Sequence, residues 1–142
     1  MRTFLLLSFI LCHLILQGQE VGVRFGEMDG NNIGIDGVIP VKDRRIHATV
    51  SFGDNVGVDA IYDFLVAPMI KNTGFNYYVG VGITSMFAGD LRLGVAGELG
   101  FEYRFRSMPV AVSLDYRPSI LVVEKMDFLY GNFGFSTRYV FR

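Results

Sequence analysis

Leu91-Arg92-Leu93-Gly94-Val95-Ala96-Gly97-Glu98-Leu99-Gly100-Phe101-Glu102-Tyr103-Arg104-Phe105 is the stretch that decides the fold. Side chains alternate across an extended chain, so Leu91, Leu93, Val95, Leu99, Phe101, Tyr103 and Phe105 share one face. Arg92, Gly94, Ala96, Glu98, Gly100, Glu102 and Arg104 share the other. Upstream, Phe75, Tyr77, Val79, Val81 and Ile83 alternate with Asn76, Tyr78, Gly80, Gly82 and Thr84. Downstream, Val110, Val112, Leu114 and Tyr116 alternate with Ala111, Ser113, Asp115 and Arg117. Extended outward, this period of two predicts strands at 20–26, 32–40, 45–53, 55–66, 74–86, 91–105, 109–118 and 128–141. Short polar breaks such as Met28-Asp29-Gly30-Asn31 and Gly53-Asp54-Asn55 separate them, as hairpins require. The expectation is an all-β, eight-stranded antiparallel up-and-down barrel with no helix of useful length.

Ahead of the strands, Arg2 and the apolar run Phe4 to Leu16 have the form of a cleaved signal peptide over 1–18, leaving a single domain at 19–142. The run is too short to span a bilayer as a helix, which takes about 20 apolar residues. Cys12, the only cysteine, falls within the leader, and Leu11 before it is larger than a lipoprotein signal accepts. The mature chain is therefore expected to lack disulfide and thiol chemistry. Loss of Arg2 leaves 12 of the 13 basic residues against 14 acidic ones, a balance that gives no basic face for nucleic acid. At 51% hydrophobic and 14% aromatic residues, the composition is apolar for a domain bathed in water.

Alternation predicts one wet and one dry face per strand, and both a soluble barrel and a membrane barrel satisfy it. They differ in which face turns inward. Aromatic placement favours the transmembrane barrel. With alternating strand directions, Tyr62, Phe64, Phe75, Tyr77, Tyr103, Phe105, Tyr139 and Phe141 gather at one rim. Phe25, Phe52, Phe87, Tyr116 and Phe128 gather at the other, with Val79, Val81, Val95, Val112 and Leu114 between. Two aromatic girdles around an aliphatic belt suit the two interfaces of a membrane. The polar faces then supply a lumenal charge network of Arg24, Asp36, His47, Asp59, Asp63, Arg92, Glu98, Glu102, Arg104, Asp115, Arg117 and Arg138. Eight strands enclose room for side chains and no open pore.

The segments Gly97 to Phe105, Pro109 to Pro118 and Phe133 to Phe141 resemble the small outer-membrane β-barrel proteins related to the OmpA and OmpX barrels. The resemblance implies residence in a Gram-negative outer membrane, contact with its lipid, and insertion by the outer-membrane assembly machinery. That machinery reads a final strand of alternating aromatics, here Phe133, Phe135, Tyr139 and Phe141.

A chemical site is not expected. His47 with Ser51 and Asp59 could be cast as a hydrolase triad, but no strained turn presents a nucleophile and no oxyanion motif accompanies them. Asp59 with Asp63, and Glu98 with Glu102, lie four apart on a strand, roughly 13 Å, too far to share one ion unless a neighbouring strand supplies the second ligand. No catalytic residue, cofactor or metal is therefore assigned, and salt bridges to Arg92, Arg104, Arg117 and Arg138 are expected instead. The expected role is structural or partner-binding in the envelope, with the 119–127 loop, rich in Ile120, Leu121, Val122 and Val123, as the surface for a protein partner. Two alternatives stand beside it: a periplasmic lipocalin-like carrier of a small apolar ligand, and a lipid-modifying outer-membrane enzyme.

Overall fold

The computed structural model describes residues 18–123 and 126–142, so the expected leader lies outside the described residues but for Gly18. The strands are β1 (Glu20–Met28), β2 (Asn31–Val41), β3 (Arg44–Gly53), β4 (Val56–Pro68), β5 (Phe75–Ala88), β6 (Asp90–Arg104), β7 (Val110–Tyr116), β8 (Ser119–Leu121), β9 (Asp127–Leu129) and β10 (Phe133–Val140). Each neighbouring pair is antiparallel, and β10 returns to β1, in register from Glu20 opposite Val140 to Gly26 opposite Gly134. The sheet therefore closes. β7 and β8 are one stave interrupted at Arg117-Pro118, and β9 and β10 are another interrupted at Tyr130 to Asn132, which gives a closed barrel of eight staves.

Local chemistry accounts for the hairpins. Asp29 (φ 54°) and Gly30 (φ 90°) form a two-residue turn between the paired Met28 and Asn31, where the twist of the strands demands positive φ at both central positions. Pro118 withholds a backbone donor, but inward and outward positions keep alternating through it from Ser113 to Leu121. The segment expected as a 119–127 loop is in part strand. Ser119 to Leu121 pairs with both Ala96 to Gly94 and Leu129 to Asp127, so the seventh and eighth staves continue as a flared hairpin.

The barrel has its polar side chains inside. Arg24, Asp36, His47, Asp63, Glu98, Glu102, Asp115, Arg117 and Arg138 are buried, whereas Phe25, Ile35, Val81, Ile83, Val95, Phe101, Leu114 and Phe135 are exposed. No outward position from Val21 to Phe25, Ile46 to Phe52, Val56 to Phe64, Phe75 to Phe87 or Leu91 to Tyr103 carries a charge. Glycines make room for the interior. A Cβ on Gly100 would stand 2.1 Å from the Tyr78 ring, and one on Gly134 would stand 2.3 Å from the Arg24 guanidinium. Neighbouring rings cluster at the rim that holds the chain ends, with Tyr103 4.6 Å from Phe75 and 4.8 Å from Phe105, and Tyr139 5.1 Å from Phe141.

Candidate functional site

The lumen is filled by ion pairs drawn from seven strands. His47 on β3 sits at the centre, its Nε2 2.8 Å from Asp36 Oδ1 of β2 and its Nδ1 3.2 Å from Glu98 Oε2 of β6. Thr49, two residues along β3 and on the same face, donates to Asp36 Oδ1 at 2.8 Å. Arg117, just beyond β7, donates from Nε to Glu98 Oε1 at 2.7 Å and from Nη1 to Thr49 Oγ1 at 2.7 Å. Its Nη2 stands 3.2 and 3.1 Å from the two ring nitrogens of His47.

Toward the rim that holds the chain ends, Arg138 on β10 joins three acids. It donates to Glu20 at 2.7 Å, Asp36 at 2.9 Å and Glu102 at 3.0 Å, and also to Ser113 Oγ at 2.9 Å. Arg45 on β3 spans Asp63 at 2.6 Å and Glu102 at 2.8 Å, with its guanidinium 4.2 Å from the centre of the Tyr78 ring. Arg104 closes this end with bonds to Glu20 and Glu102. Toward the other rim, Arg24 pairs with Asp115, which also lies 3.4 Å from Arg117.

Of the twelve residues expected in the network, eleven belong to it. Arg92 does not: it is exposed toward the flared rim, opposite Met86, and has no ion pair among the described residues. The partner of Asp63 is instead Arg45, which is buried, and Glu20 is a further buried acid that the sequence reading omitted. Both were within reach, because Arg45 shares the parity of His47 and Thr49, and Glu20 that of Gly22 and Arg24. The candidate triad is not assembled. Ser51 Oγ accepts from Asn31 at 3.0 Å, and Asp59 pairs with Thr84 and Arg117, while both nitrogens of His47 face Asp36 and Glu98.

A buried ion pair is costly to desolvate and repays that cost only when its remaining hydrogen bonds are satisfied. Here most carboxylates take two or more donors, so the network is self-satisfying along nearly its whole length. What the arrangement does chemically is exclude water from the axis and fix strand register. At the flared rim, Asn132 Nδ2 donates to Asp29 Oδ1 at 2.6 Å and ties the eighth stave to the first hairpin. Beyond that tie, β9 has no partner on its outer edge among the described residues, and a recess of about 300 Å³ opens between Phe128 to Asn132 and Glu27 to Gly30. Compared with known protein families, curated sequences and solved structures, the chain matches none.

Proposed function

We propose that the chain is an integral outer-membrane β-barrel of a Gram-negative envelope, exported with a cleaved leader, whose ion-paired lumen serves stability and whose role is structural or partner-binding. The observation that carries this reading is the direction of the two faces. The outward positions form an uncharged apolar belt while the charged set turns inward, the polarity a lipid solvent selects. Strand length supports it. The unbroken staves run from 9 residues in β1 to 15 in β6, and a tilted transmembrane strand needs about 9–11. A carrier of an apolar ligand needs an apolar interior, and the charged lumen weighs against that reading. The separate partners of Ser51, His47 and Asp59 favour a non-enzymatic role. The flared β8–β9 hairpin, with Val122, Met126 and Phe128 exposed, is the surface on which a protein partner of the envelope would add.

Two measurements test the reading. The first is fractionation of cell envelopes, followed by a detergent gel of the protein with and without boiling. An outer-membrane barrel should sediment with that fraction and migrate differently once heated. The second is Val95→Arg, an outward substitution in the belt. In lipid it should cost about 2–4 kcal/mol and reduce assembly. In a water-soluble barrel the same outward arginine would be tolerated, so an unaffected soluble protein would sink the proposal.

A further inference from the structure

Three strands meet at one point of the lumen. His47 of β3, Asp63 of β4 and Glu98 of β6 each bring one donor atom to within 4.8 Å of the other two, and all three side chains are buried. Two neighbouring strands and a third across the lumen thus supply what the spacing along one strand cannot. We propose that these three residues bind one divalent transition-metal ion of the zinc class within the lumen.

The second observation is at Asp63. Its Oδ2 accepts from Arg45 at 2.6 Å, but its Oδ1 is buried without a hydrogen-bond partner. That oxygen lies over Gly80, where a Cβ would stand 2.4 Å away, so the glycine leaves it standing room. A buried carboxylate oxygen with no donor is costly unless something positive reaches it.

The surroundings suit a ligand histidine. Asp36 accepts from Nε2 and is itself held by Thr49 and Arg138, so Nδ1 is the ring nitrogen turned to Glu98, and a metal ion bound there takes the place of the proton between them. A carboxylate behind the imidazole is the usual outer partner of a metal-bound histidine. Glu98 accepts from Arg117 at Oε1, and its two oxygens lie 3.1 and 3.2 Å from His47 Nδ1. One imidazole nitrogen with two carboxylate oxygens suits zinc-class ions better than calcium or magnesium, which favour all-oxygen sites. Tetrahedral bonds of about 2.1 Å put ligands roughly 3.4 Å apart, so the side chains must draw together slightly. Arg117 Nη2 must also turn from the ring, and Asp59 and Asp115 lie within 3.4 Å of its guanidinium to receive it. The inference concerns the interior and stands whether the outer wall meets lipid or water.

The test uses the untagged chain from Gln19, which holds the whole barrel, refolded into detergent micelles with an excess of Co2+ or Zn2+ and then gel-filtered. One equivalent should stay bound. His47→Gln and Asp63→Asn should each weaken retention at least tenfold, with the strand signal in circular dichroism unchanged. Failure of the wild type to retain an ion overturns the proposal, and so does retention undiminished in both variants. Should the variants not fold, pulsed electron paramagnetic resonance of wild type loaded with Cu2+ decides. Modulation from one imidazole nitrogen supports the site, and its absence removes it.

Discussion

Arg138 shows how much a single lumenal side chain holds. Its guanidinium joins Glu20, Asp36 and Glu102, so Arg138→Met leaves three buried carboxylates short of a donor. Breaking a buried pair from one side typically costs about 3–5 kcal/mol, and urea unfolding of the refolded barrel should register a loss in that range. At Gly100 the constraint is volume. Gly100→Ala drives a methyl into the Tyr78 ring and should destabilise by about 1–3 kcal/mol. The double variant Gly100→Ala with Tyr78→Leu should recover part of the loss, and equal or additive losses would refute the contact as cause. Membership of the network was legible from strand parity, because an inward residue remains inward whatever the register. Who pairs with whom was not. His47 finds Glu98 fifty-one positions away because of the barrel's stagger, which alternation along single strands does not encode. Arg92 has the right parity for the lumen but sits where the wall flares, and parity carries no information on depth.

Turns and staves follow local rules more closely. Gly30 sits at φ 90°, a conformation that side chains resist, so Gly30→Val should loosen the first hairpin by about 1 kcal/mol or more. Hydrogen exchange at Met28 and Asn31 would rise, whereas exchange at the β5–β6 pairing would stay unchanged. Asn132→Leu removes the bonds to Asp29 and should free the upper part of the eighth stave, seen as faster proteolysis near Tyr130 with the lower barrel intact. The eight staves were readable because each alternates and ends in turn residues. The β8–β9 extension was harder to read, since Ile120 to Val123 is a continuous apolar run and Pro118 reads as a break. Pairing with Gly94 to Ala96 is what makes it strand, and that is a neighbour's contribution.

A lumen filled by ion pairs should carry no steady current, so the barrel reconstituted in a planar bilayer is expected to give no conductance steps, and regular steps would contradict a closed axis. The seam between β1 and β10 adds a kinetic dimension. It joins the two ends of the chain, and the bond from Arg138 to Glu20 spans 118 positions, so neither residue can be neutralised by the other until the last stave arrives. An open sheet of seven staves would hold Glu20 and Asp36 beside an unfilled axis and would favour water there over completion of the wall. Closure is thus coupled to dehydration of the interior: the final strand brings the guanidinium that expels the solvent. Closure should then be the slow step of assembly, set by the longest loop the barrel must close, and the sheet lacking only its last strand should be the species a folding catalyst meets.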